Sequence, residues 1–349
     1  MIAMAVVSAF VMTAAGGRVW PMLTTSHDLG RIHVVWLVPA VLLAAVSMLA
    51  AAMLQRRVLR AAGVQLPLSS MAAITIAGNA VSVTLPLAGS TAGTAFTYHQ
   101  LKQHGVDLPS AGWALAMSGI VSTSVLAIVL GVGATATGDG MTSILGPLTI
   151  VAGVLPMAAL VASFRWPAVR ESLERITQRS VARVRRVSRR GAAPDPRSVS
   201  AAFARVAGFR LGWRAATMSA VLSVINWTAD IGCLAACITA FGVPVPWAQI
   251  AVVYAAALGA ASLSFTPAGV GIVEGALAVA LVRTGTPADV AVVAALLYRA
   301  ISCWLVMLVG WVVYATMRRS SPSRPTIGLV TPAAIDDAVV TMPLLQRSA

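Results

Sequence analysis

Residues 264–283 read SFTPAGVGIVEGALAVALVR, which places a proline, three glycines and one carboxylate, Glu274, inside an otherwise apolar run. Proline removes a helical N–H and collides with the preceding turn, so Pro267 ends one helix. Gly269, Gly271 and Gly275 supply backbone freedom and close approach, and a new helix is predicted from near Val270. On the near side, residues 247–265 are apolar back to the tight turn VPVPW (243–247). On the far side, RTGTPAD (283–289) is a second turn before a long apolar helix, 291–317.

The rest of the chain sets the solvent for that interruption. It is 58% hydrophobic and 10% charged, with mean hydropathy +0.85, whereas soluble domains carry about 25% charged residues. Val34–Leu54, Ala111–Ala134 and Met141–Phe164 are free of charge, each over the roughly 20 residues that cross a hydrocarbon core. Residues 215–241 form a further span. Met1 to Ala15 is apolar without the n-region or cleavage pattern of a removable signal peptide and is expected to be a retained first helix. The chain is therefore an all-α, polytopic transmembrane bundle.

The net charge is +14, yet 13 of the 25 Lys and Arg lie between Arg165 and Arg214. One basic segment between spans is a topology signal: it is cytoplasmic, together with Arg56, Arg57, Arg60, Arg318 and Arg319. Nucleic acid is excluded as a partner, because no aromatic interleaving or binding motif accompanies the arginines. Within the segment, Val169, Leu173, Ile176, Val184 and Val187 recur at helical spacing under an arginine-rich face. That pattern suits anionic lipid head groups at 165–214, or a solvated loop that only sets topology. Four regions follow: an N-terminal transmembrane half (1–164), the basic segment (165–214), a C-terminal transmembrane half (215–319) and a disordered cytoplasmic tail (320–349) rich in Ser, Pro and Thr. Cys233, Cys237 and Cys303 fall in apolar spans and form neither a disulfide framework nor a zinc pattern, and no cofactor or metal is implied. The 24-to-1 ratio of Arg to Lys and the alanine content point to a GC-rich genome and a bacterial plasma membrane.

Residues 68–87, LSSMAAITIAGNAVSVTLPL, read as a poor uninterrupted helix because of their Ser, Thr, Gly, Asn79 and Pro86. Two firm spans separate the inside arginines at 56–60 from the inside segment at 165, so a crossing at 68–87 would give odd parity. This stretch is expected to be re-entrant, broken near Pro86. For 247–283 two paths satisfy parity: both halves cross, or they form a hairpin dipping in from the opposite side. LPLAGSTAGTAF (85–96), including Gly89, resembles TPAGVGIVEGAL (266–277), each followed by a Gly-Pro turn and a span. This predicts an inverted repeat of two broken elements meeting near the midplane, where transporters of that kind bind substrate.

A charge at mid-membrane costs about 2.5–3.5 kcal/mol on insertion scales, so each one has a partner or a use. Asn226, Asp230, Cys233 and Cys237 share one helix face at i, i+4, i+7 and i+11. Arg299, beside Tyr298, is deep in the last helix, and Glu274 follows the break. Two readings stay open: Arg299 neutralises an acid and the cluster only joins helices, or Arg299 holds an anionic head group while a carboxylate carries a proton. The dipole of the helix after the break adds positive potential to the second.

Together SFTPAGVGIVEGAL, GTPADVAVVAALLYRAISCWLVMLVGW, GNAVSVTLPLAG, AGWALAMSGIVS and NWTAD, across residues 70–316, resemble the transmembrane, flippase-like domain of the lysylphosphatidylglycerol synthase family, which includes YbhN-like membrane proteins. The resemblance carries the family's glutamate onto Glu274, its helix arginine onto Arg299, and the Asn and Pro of its first broken element onto Asn79 and Pro86. Two departures stand out. Ala268 replaces the first glycine after Pro267, and GSTAGTAF lacks the charged residues usual after the first Leu-Pro. The 30 residues at 320–349 are too few for the soluble aminoacyl-transferring domain, so no enzyme activity is implied. The expectation is an integral membrane protein that moves a lipid or lipid-linked glycan between leaflets. No Walker motif is present to bind ATP. The alternative is a non-transporting scaffold for envelope-biosynthesis enzymes such as glycosyltransferases. Substrate-path candidates are Asn79, Pro86, Gly89, Asn226, Asp230, Pro267, Gly269, Gly271, Glu274, Tyr298 and Arg299.

Overall fold

A computed structural model describes residues 33–85, 89–138, 140–165 and 212–320. The expected first helix, Pro86, the amphipathic face at 168–190 and the tail beyond 320 lie outside these residues. Among the described residues all regular structure is helical. In chain order the helices are α1 (Leu37–Ala61), α2 (Leu68–Thr84), α3 (Gly89–Gln103), α4 (Leu108–Ala136), α5 (Gly140–Arg165), α6 (Trp213–Thr239), α7 (Ile250–Leu263), α8 (Ile272–Arg283), α9 (Ala288–Arg299) and α10 (Val306–Ser320). A π-helical segment, Ala300–Leu305, joins α9 to α10 without interrupting the rod. The site described below lies wholly within the unit that ends at Tyr314.

Five of these helical rods are long and apolar enough to cross a membrane: Val34–Ala61, Pro109–Ala136, Gly140–Ala159, Trp213–Thr239 and Ala288–Arg319. The first two contain the charge-free windows 34–54 and 111–134, and the whole of α5 contains 141–164. The prolines within α5, Pro147 and Pro156, do not end it. Side chains such as Ile144, Leu148 and Leu155 are exposed along α5, as expected of a lipid-facing helix for which acyl chains replace water.

The remaining four helices pair into two hairpins. LSSMAAITIAGNAVSVT is a continuous 17-residue helix despite its Ser, Thr, Gly and Asn79, and it ends at Thr84, ahead of Pro86. The hydroxyls of Thr75 and Thr84 bond back to the carbonyls of Met71 and Ala80, so they satisfy themselves within the helix. At 1.5 Å per residue α2 is about 25 Å long, short of the roughly 30 Å core. Glycines let α3 lie tightly against it. A Cβ on Gly93 would collide with Ser82 Oγ and come 2.7 Å from the Gly78 carbonyl oxygen, and one on Gly89 would collide with the Ser82 carbonyl. Gly89 and Gly93 are spaced as in the close-contact motif of membrane helix pairs.

The second hairpin decides the path of 247–283. Helix α7 has 14 residues and α8 has 12, about 21 and 18 Å, and neither spans the core. They flank the break and return to the end they left. Helix directions follow from contacts: His33 N–H bonds the Ala240 carbonyl at 2.8 Å and Ser47 Oγ bonds Asn226 Oδ1 at 3.1 Å, so α1 and α6 are antiparallel. The α2–α3 hairpin therefore enters from the Ala61 end of the bundle and the α7–α8 hairpin from the Ala240 end. Opposite entry is the arrangement that the internal repeat predicts. The Pro267–Gly269 turn at the second break contacts α2, so the two hairpins meet inside the bundle.

Packing differs between the two ends. The apolar core, with Ile231, Leu234, Ile238, Tyr254, Leu277 and Leu281, fills the Ala240 half. We expect Gly93→Val to pry the first hairpin apart and destabilise the protein by about 1–3 kcal/mol. Gly112→Ala, where an added Cβ meets nothing within 4 Å, should leave stability unchanged or raise it by up to about 1 kcal/mol; thermal unfolding in detergent distinguishes the two.

Candidate functional site

A partly open cavity of about 450 Å³ occupies the half of the bundle opposite the apolar core. Its wall is unusually polar for membrane depth. Ser47 and Gln55 come from α1, Thr75 and Asn79 from α2, Thr94 and Thr97 from α3, and Ser122 from α4. Its inner end is formed by Asn226, Trp227 and Asp230 of α6, Tyr254 of α7, and Tyr298 and Arg299 of α9. Both hairpins thus contribute to one space.

Helix α6 presents Asn226, Asp230, Cys233 and Cys237 on one face, as the spacing requires. The face divides by depth: Cys233 and Cys237 sit fully buried in the apolar core, while Asn226 and Asp230 line the cavity. Tyr254 and Tyr298 both donate hydroxyl hydrogen bonds to Asp230 Oδ2, at 2.5 and 3.1 Å. Trp227 fixes α6 against α4 by donating Nε1–H to the Ser122 carbonyl at 3.0 Å. Its ring meets Tyr254 edge-on at 6.5 Å.

The break after Ser264 is held by its own hydroxyls and then by Arg299. Ser264 Oγ accepts the Thr266 N–H at 3.2 Å, and Thr266 Oγ1 donates to the Val270 carbonyl at 3.1 Å. Three residues turn left-handed: Ala268 (φ 58), Gly269 (φ 70) and Gly271 (φ 83). The chain then starts α8 at Ile272, two residues later than the sequence predicts. Glu274 folds back to cap that start, its Oε2 accepting the Gly271 N–H at 2.7 Å. Its Oε1 accepts from Arg299 Nε at 3.0 Å, and Arg299 Nη2 donates to the Ala268 carbonyl. The guanidinium therefore pins a carboxylate and an irregular carbonyl at once.

The expected group of three charges is accordingly two groups. Arg299 pairs with Glu274, while Asp230 is held by tyrosine hydroxyls. Of the candidates, Asn79, Asn226, Asp230, Tyr298 and Arg299 line the cavity. Glu274, Pro267, Gly269 and Gly271 shape the break and are absent from the lining, and Gly89 serves hairpin packing. The start of α8, expected to offer positive dipole to a ligand, faces the protein's own Glu274. Tyr254 escaped the sequence reading because a lone tyrosine in an apolar run looks like core. Its one visible signal was its position in the helix leading into the break.

Ala268 explains one departure noted above. A left-handed alanine costs about 1–2 kcal/mol that glycine avoids. Ala268→Gly is expected to raise stability by about 1 kcal/mol, read as a higher melting temperature. Arg299→Ala leaves Glu274 buried without its cation and is expected to cost about 3–5 kcal/mol, measured by the same unfolding experiment.

Comparison with curated proteins finds no match. Residues 1–310 match the family described as Lysylphosphatidylglycerol synthase TM region, and the multi-pass helical bundle with its Glu274–Arg299 pair at the second break belongs to that family.

Proposed function

We propose that the protein translocates a lipid, or a lipid-linked glycan, between leaflets without ATP. The observation that supports this reading is the polar cavity, walled by two hairpins entering from opposite ends and reaching Asp230 and Arg299 at its inner end. A polar space at that depth is costly to build. It suits a head group that must pass an apolar layer while its acyl chains stay in lipid. One half of the bundle is packed shut by the apolar core and the other contains the cavity, as in a carrier with access from one side.

Arg56, Arg57 and Arg60 lie at the Ala61 end, which the positive-inside rule assigns to the cytoplasm. In that orientation the cavity belongs to the cytoplasmic half, and the basic segment 165–214 meets anionic head groups of the inner leaflet. The chain's part in this reading is transport, with no bond made or broken.

Reconstitution tests the proposal. Vesicles carrying fluorescent phosphatidylglycerol or phosphatidylethanolamine, quenched from outside, report movement between leaflets. Wild-type protein is expected to move at least one of them, and Asp230→Asn, checked for an unchanged melting temperature, to slow it about tenfold or more, equivalent to 1.4 kcal/mol. Purified protein that moves no lipid, but restores activity to a co-purifying envelope enzyme, overturns the transport reading in favour of a scaffold.

A further inference from the structure

Asp230 is the acid that the Arg299–Glu274 pair leaves over. Both tyrosine hydroxyls bond Oδ2, so among the described residues Oδ1 has no protein partner and is the oxygen available to the cavity. The ionisable groups around it are few. Tyr254 faces it from α7, Tyr298 and Arg299 from α9, Cys303 of the π-helical segment lines the same cavity, and Cys233 lies one turn along α6; the lining drawn from α1, α2, α3 and α4 carries no ionisable side chain. Arg299 is spent on Glu274 and the Ala268 carbonyl. A second observation lies along the same face of α6. Ser219 and Ser223, i−11 and i−7 from Asp230, are fully buried, and their hydroxyls have no partner among the described residues. Buried hydroxyls of that kind are where ordered water sits.

We propose that Asp230 is the proton-carrying group of the transport cycle, loaded from the cavity at Oδ1; this rests on the translocator reading. A hydronium ion in the cavity gives its proton to Oδ1 and leaves as water, and the carboxylate becomes a neutral acid. Oδ2 accepts from Tyr254 and Tyr298 in both forms, first as a carboxylate oxygen and then as a carbonyl oxygen, so the site keeps its bonds as it loads. Removing the charge lowers the cost of moving this face of α6 past apolar neighbours. Release to the other side reverses the step.

Two measurements test this separately from transport. Infrared difference spectra of the protein in lipid nanodiscs, titrated from about pH 4, near the ordinary carboxyl value, up to about pH 9, should show a protonated-carboxyl band that Asp230→Asn removes. In vesicles with the fluorescent lipids, an imposed gradient of one pH unit should shift the leaflet ratio by up to about tenfold per coupled proton, and Asp230→Asn should abolish that shift. A titrating band without lipid movement supports the proton site and sinks the translocator reading. Lipid movement with no Asp230 band, or movement that follows a sodium gradient and ignores pH, overturns the proton proposal and leaves the translocator reading standing.

Discussion

Arg299 is the contact on which the rest of the bundle turns. A broken helix inside a membrane frees carbonyls and N–H groups that lipid cannot bond, and each unsatisfied group costs several kcal/mol. Here one guanidinium takes the Ala268 carbonyl and the Glu274 carboxylate together, while Glu274 takes the first free N–H of α8. Without that pair the left-handed turn at 268–271 would have no reason to persist in an apolar layer. With it, two helices too short to cross the core form a stable hairpin. The π-helical segment that begins immediately after Arg299 belongs to the same region, and such segments often accompany functional sites.

Tying up Glu274 and Arg299 also determines what the cavity offers. The pair is locally neutral, and the cavity meets Asp230 under two tyrosine hydroxyls. The bundle is divided along its length: tight apolar packing around Leu234, Ile238 and Leu277 at one end, and polar walls from Ser47 to Gln55 at the other. That division comes from the two hairpins. The α7–α8 hairpin is rich in Leu, Val and Ala and closes its end, whereas the α2–α3 hairpin carries Thr75, Asn79, Thr94 and Thr97 and keeps its end wet.

Much of this was legible in the chain. Membrane spans announce themselves because a 20-residue charge-free run has few other uses, and the spans at 34–54, 111–134 and 141–164 reappear as helices in place. The break at Pro267 was equally plain, since proline and glycine act locally. The composition of 68–84 was less clear. A run of Ser, Thr, Gly and Asn suggested a poor helix, but Thr75 and Thr84 satisfy their hydroxyls on carbonyls of their own helix, and 68–84 stays continuous. Tyr254 and the serines of α6 were hidden, because nothing in a single sequence distinguishes an aromatic that packs from one that donates to a carboxylate 24 residues earlier.

The sequence by itself determined that this chain lives in a membrane, where its helices interrupt and which charges lie deep. These follow from hydropathy, backbone chemistry and the cost of burying charge, all of which act over one helix or less. Which acid Arg299 would choose was left to the tertiary structure, as was the choice between hairpin and double crossing for 247–283. Charge pairing depends on which helix faces meet, and the path of a short helix depends on what receives its ends. Asp230 and Glu274 are alike in sequence as buried acids; the turn at Ala268 brings one of them to the arginine and leaves the other to the cavity.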